Sequence, residues 1–170
     1  MRKNTAVLLC AVMAACLAAG CQNGAQRSEG STGKTAQSEQ TADLSGLRDK
    51  MLAAAELPEM LSVTDKSSRP ERKLATITDI DYQKTDGFFI DYAADGTAYE
   101  IAVIALKSAD DMPSLEKSLR SHIQKRTEQY RYYAPDQVTR AESAKVVSDG
   151  KRAALIMCDD VKAVEKAFLG

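Results

Sequence analysis

Histidine is reduced to a single residue, His122, and beyond position 21 the only cysteine is Cys158. That scarcity excludes a metal centre built on clustered His and Cys, which needs several such ligands at short spacing. Charge of one sign is equally lacking. The 23 basic side chains against 24 acidic ones leave a net charge of -1, so nothing draws the whole chain to nucleic acid or to an acidic membrane face. Aromatic residues make up only 5%. There is no G-x-S-x-G elbow, no P-loop and no dinucleotide-type glycine pattern, and the glycines at 24, 30 and 33 fall in a polar stretch. No apolar run reaches the ~20 residues that span a bilayer as a helix. What is present is a 44% apolar fraction in 170 residues, enough for one folded domain with additions.

The first twenty residues differ from all that follow. Arg2 and Lys3 precede an unbroken run of small and apolar residues from Ala6 to Ala19. A charged start, a short apolar stretch and small residues at its end describe a secretory signal peptide over 1–20. Leu17-Ala18-Ala19-Gly20-Cys21 then resembles the lipobox of bacterial lipoproteins, with Ala18 where that family prefers Leu, Val or Ile. The resemblance implies a diacylglyceryl group on the Cys21 sulfur and cleavage just before it. Cys16, after Ala14-Ala15, is the second candidate, but Gly20 favours the later site. Each buried CH₂ contributes about 0.8 kcal/mol, so two acyl chains hold where one would not. With Cys10 and Cys16 removed and Cys21 acylated, Cys158 is left without a partner, and the exported domain rests on core packing rather than on a disulfide.

From Gln22 to Asp43 only Ala25, Ala36 and Ala42 are apolar, so residues 21–43 are expected to be a lipidated cysteine and flexible tether with a reach of about 25 Å. A single domain is expected over 44–170. Leu44, Leu47, Met51, Leu52 and Ala55 recur at helical spacing as far as Leu57, where Pro58 stops the helix. Met60 to Val63 reads as a short strand, 64–73 as a charged loop, and 74–87 either as a strand or as a short turn capped by Asp79 or Asp81. Phe88–Ala93 and Tyr99–Leu106 form a hairpin around Asp95-Gly96. The second of these strands is apolar on both faces, as a central strand covered on both sides would be.

Asp110 or Asp111 is expected to cap a long helix with Pro113 in its first turn and an apolar stripe of Met112, Leu115, Leu119, Ile123 and Tyr130. A brief helical turn follows Pro135. Ala144–Ser148 and Arg152–Cys158 make a second hairpin around Asp149-Gly150, and Asp159 or Asp160 caps a last helix carrying Val161, Val164 and Phe168. This order predicts an α+β, two-layer domain with an antiparallel sheet of hairpins packed against a long helix and terminal helices.

Four features bear on chemistry. Asp79, Asp81 and Asp86 imitate a calcium loop, but its sixth position holds Lys84 where Gly is needed and its twelfth holds Ile90 where Glu is needed. His122 borders the apolar stripe and reads as a hydrogen-bonded helix residue, with a catalytic base as the alternative. The long helix carries Lys117, Arg120, Lys125, Arg126 and Arg131 against Glu116 and Glu128, a solvated face in which Glu116 and Arg120 form an i,i+4 pair. Tyr130, Tyr132 and Tyr133 are either a contact surface or the packing of a helix end.

Residues 45–170 resemble the domain of unknown function 4358 family, found in bacterial lipoproteins. Leu57-Pro58-Glu59-Met60, Asp79-Ile80-Asp81, Phe88–Tyr92, Tyr99–Val103, Tyr133–Gln137 and the hairpin from Ala144 to Asp160 carry the likeness. The resemblance implies a short turn around Asp81 and carries over no functional residue. The expectation is a non-catalytic lipoprotein displayed outside the cell membrane, anchored to the bilayer through acylated Cys21. It would bind an envelope protein or small ligand, with no cofactor, no metal and no nucleic acid. The alternatives are an envelope enzyme around His122 and the tyrosines, or an assembly factor acting through the basic helix.

Overall fold

The computed structural model describes residues 43–170; the expected signal peptide, Cys21 with its alternative Cys16, and the tether as far as residue 42 lie outside the described residues. Ten elements follow one another: α1 (Ser45–Leu52), β1 (Met60–Thr64), α2 (Pro70–Leu74), β2 (Thr85–Ala93), β3 (Glu100–Leu106), α3 (Met112–Tyr133), α4 (Val138–Glu142), β4 (Lys145–Asp149), β5 (Arg152–Met157) and α5 (Val161–Leu169). The strands form one antiparallel sheet in the order β1-β2-β3-β5-β4. The α+β class read from the sequence holds.

Strand β3 lies at the centre with every residue buried. Its alternation divides the core. Ala102, Ile104 and Leu106 point to one face with Phe88, Ile90, Ala153 and Leu155, beneath α2, α3 and α4. Ile101, Val103 and Ala105 point to the other with Phe89, Ala154 and Ile156, beneath α1 and α5. The layers therefore number three rather than the expected two. The terminal helices pack on the side opposite α3, because a strand apolar on both faces needs cover on both.

Both hairpins turn where Asp-Gly stands. Gly96 (φ 80°) and Gly150 (φ 59°) occupy the left-handed region that side chains with a Cβ avoid. Asp95 fixes the first turn by accepting from the Thr97 amide and hydroxyl at 3.0 and 2.6 Å.

Several element ends differ from expectation. Helix α1 stops at Leu52, short of Leu57, because the chain must be extended by Glu59, whose carbonyl accepts the Ala94 amide at 2.8 Å beside the Met60–Ala93 pairing. Pro58 also disfavours helix in the residue before it. Part of the expected 64–73 loop is the single turn α2, begun by Pro70 at its first position. The ambiguous segment after it resolves as the turn around Asp81, whose side chain accepts from the Gln83 amide at 2.9 Å and starts a 3-10 turn, Tyr82–Lys84.

Neither Asp110 nor Asp111 caps α3 through its side chain. Ser108 instead caps a 3-10 turn over Ala109–Asp111, and Asp111 pairs with Lys84 at 2.7 Å. At the last helix Asp160 is the cap, accepting from the Ala163 amide at 3.0 Å. Its neighbour Asp159 accepts from Arg140 Nε at 2.7 Å and from the Tyr99 hydroxyl at 2.6 Å, and the Arg140 guanidinium lies 4.0 Å from the Tyr99 ring centroid. This cluster clips α4 to the head of β3 and to the loop before α5.

One ion pair is buried between the layers. Arg48 of α1 donates Nε and Nη2 to the two carboxylate oxygens of Asp91 on β2 at 2.8 and 2.6 Å, and the Asp91 side chain is 0% exposed.

Candidate ligand cleft

The 22 residues of α3 extend about 33 Å along the sheet. Its buried stripe of Met112, Leu115, Leu119, Thr127 and Tyr130 is close to the one read from periodicity, with Ile123 packed at its margin. Beside that stripe, His122, Lys125, Arg126 and Gln129 stand at i, i+3, i+4 and i+7 and so share one helix face. They form one wall of a cleft of about 430 Å³. Lys73 at the end of α2, with Thr76 and Ile77 after it, forms the opposite wall, and Val63, Ile90, Tyr92 and Glu100 complete the lining. The apolar lining continues outward, because Leu61 on the edge strand β1 is the register partner of Tyr92 and both are exposed.

At the β3 end of the cleft, His122 Nε2 lies 3.0 Å from both oxygens of Glu100. The side chains are 14% and 7% exposed. An ionised carboxylate only accepts, so this geometry makes Nε2 the protonated nitrogen. A carboxylate in that position is held by one partner, and the imidazole is oriented by it.

Arg126 is placed differently. Its Nη2 donates to the Tyr130 hydroxyl, its guanidinium lies 4.7 Å from the Tyr130 ring centroid, and its buried Nε has no hydrogen-bond partner. The Tyr130 hydroxyl donates in turn to the Thr97 carbonyl at 3.0 Å, and burial raises its pKa above the ordinary tyrosine value. Arg126 is thus steered by neutral oxygens. Among the described residues, Lys73, Lys125 and Arg126 make no ion pair. Three cations therefore face a cleft whose one carboxylate, Glu100, is engaged by histidine.

The structure separates the residues singled out from the sequence. His122 enters the cleft, hydrogen-bonded as the sequence suggests. The basic helix is not one surface: Arg120 pairs with Glu116 at 3.4 Å as expected, Arg131 pairs with Glu142 at 2.7 Å, and Lys125 and Arg126 line the cleft. The tyrosines are not assembled around His122. Tyr130 is buried as the packing of the helix end, whereas Tyr132 and Tyr133 are exposed. Among the described residues no group of three or more His, Cys, Asp or Glu is placed to hold a metal ion, and no helix is long and apolar enough to cross a membrane. Cys158 is a buried free thiol. Sequence reasoning missed Lys73, Tyr92 and Glu100 as cleft residues. The acid heading an otherwise apolar strand was the available signal for the last.

These features define an antiparallel α+β domain with a cationic, apolar-floored cleft on one face of its sheet. Over residues 59–158 the chain matches the domain of unknown function DUF4358, and it belongs to that family. The matched span contains the whole cleft lining, while α1 and α5 lie outside it. No curated protein and no solved structure matches the chain.

Proposed function

We propose that the chain is a lipid-anchored protein on the extracytoplasmic side of a cell membrane, whose domain binds a ligand without catalysis in the cleft between α2 and α3. The observation that carries the binding reading is the set of cations, without an ion pair among the described residues, over an apolar floor. A cleft of about 430 Å³ falls in the range that holds small ligands, lined by apolar groups with a few polar ones that orient the guest. The anchor rests on the sequence Leu17–Cys21 and the polar segment behind it.

An enzyme reading has the His122–Glu100 pair in its favour, since a carboxylate that orients imidazole is how a general base is held. The hydroxyls in the cleft lining, Thr76 and Tyr92, are not hydrogen-bonded to the imidazole, and Thr76 donates instead to the Lys73 carbonyl at 2.7 Å, so binding is the better-supported use of the site.

The anchor is tested by expressing the full chain in a bacterium that processes lipoproteins and analysing the mature N-terminus by mass spectrometry. The expected product begins at a diacylglyceryl-modified Cys21 and sediments with membranes, and Cys21→Ala abolishes both. An unmodified N-terminus, or lipid on Cys16, overturns the assignment.

A further inference from the structure

Resting on the cleft reading, we infer that the ligand is a small amphiphilic anion, a carboxylate or phosphate head on an aliphatic or aromatic body. The head is specified by charge. Lys73, Lys125 and Arg126 line the two walls without a carboxylate of their own among the described residues. Arg126 is held from behind by Tyr130, so its charge is positioned before any ligand arrives. Glu100, the acid that would repel an anion, is hydrogen-bonded through both oxygens to His122. Charge-assisted bonds to carboxylate or phosphate are the strong ones, and a guanidinium fixed in place loses less freedom in making them.

The body is specified by the floor. Val63, Ile77 and Ile90 line the cleft, and Tyr92 with Leu61 carries the apolar surface out to the β1 edge. A bare inorganic anion would leave that surface wet. An apolar arm covers it and gains its burial.

The test uses the full chain in phosphatidylcholine nanodiscs, with methyl NMR of Val63, Ile77 and Ile90 as the readout from the cleft itself. The probes are octanoate, octyl phosphate, octanol, octyltrimethylammonium and inorganic phosphate. The expected result is saturable shifts of all three methyl groups with octanoate or octyl phosphate and none with octyltrimethylammonium. The tighter of the two anions identifies the head as carboxylate or phosphate. Lys73 and Lys125 are exposed, so Lys73→Glu with Lys125→Glu spares the packing. That double variant should bind the preferred anion at least about tenfold more weakly and leave octanol unchanged. Octanol or the cation binding as tightly as the anions overturns the ligand class and leaves the cleft as a binding site. Inorganic phosphate competing as strongly as octyl phosphate removes the apolar arm. If no probe moves the methyl groups, the inference and the cleft reading fall together.

Discussion

Replacing Arg48 by Met should cost this domain a large share of its stability, because the change strands a carboxylate where water cannot reach it. Asp91 is 0% exposed, and its two oxygens are satisfied by Arg48 at 2.6 and 2.8 Å. Arg48 is itself 28% exposed, so the methionine side chain can follow the same path while the charge disappears. Two unit charges about 4 Å apart at an effective dielectric near 20 attract by roughly 4 kcal/mol. Breaking a buried pair from one side typically costs about 3–5 kcal/mol, against a total stability of roughly 5–15 kcal/mol for a domain.

The assay is urea unfolding of wild type, Arg48→Met, Asp91→Leu and the double variant. With a slope of about 2 kcal/mol per molar urea, the Arg48→Met midpoint should fall by roughly 1.5–2.5 M. The double variant, in which neither charge remains, should recover most of that loss. A cost below about 1 kcal/mol for Arg48→Met, or additive effects in the double variant, would refute the claim that Asp91 depends on α1 for its compensation.

Two further outcomes follow from side chains on the same face or beside it. Burial pushes the Cys158 thiol up to about 11, so at pH 8 only about one molecule in a thousand carries a thiolate there. Iodoacetamide with peptide mapping should leave the Cys158 peptide unmodified in the native protein and alkylate it fully in urea; native labelling at the rate of a free thiol would contradict the burial. Hydrogen bonds from Arg140 and then Tyr99 hold the Asp159 carboxyl below the usual aspartate value. A depressed folded value adds stability that is complete above the unfolded value of about 3.9 and disappears as pH falls through the folded one. Asp159→Asn should therefore flatten the acid limb of a melting-temperature profile below about pH 4 and change its slope little above pH 5. Because the carboxylate is 64% exposed, the effect should stay under about 1 kcal/mol and shrink with salt.

Legibility in the sequence followed how local each cause is. Strand β3 was readable because Ile101 to Leu106 has no polar break, and α3 because its apolar residues recur at turns of a helix. Asp-Gly marked both hairpins. Helix α2 was not readable, since one turn offers no period, and its position depends on Leu74 and Ile77 reaching a core built by distant strands. Asp111 stands at the expected N-cap position of α3 but makes no side-chain cap bond, because a 3-10 turn capped by Ser108 precedes the helix and the Asp111 carboxylate pairs with Lys84. His122, Lys125 and Arg126 stood out as a lone histidine and a basic run. That they share a cleft with Lys73, Tyr92 and Glu100 is a matter of strand register and helix placement, which no stretch of sequence contains.

The two faces of the sheet serve different ends. Without α1 and α5, Phe89, Ile101, Val103, Ala154 and Ile156 would form a bare apolar surface around the Asp91 carboxylate. Those helices lie outside the span that matches the family, yet the fold cannot keep its second face dry without cover there. The first face is closed only in part. Helix α3 and the short α2 leave the cleft between them over β1 and β2, and its cations, Lys73, Lys125 and Arg126, make no ion pair among the described residues. One face spends its charge internally, Arg48 on Asp91, while the other holds charge in reserve beside an apolar floor. That asymmetry is the ground on which we propose the first face, rather than the one closed by α1 and α5, as the ligand-binding side.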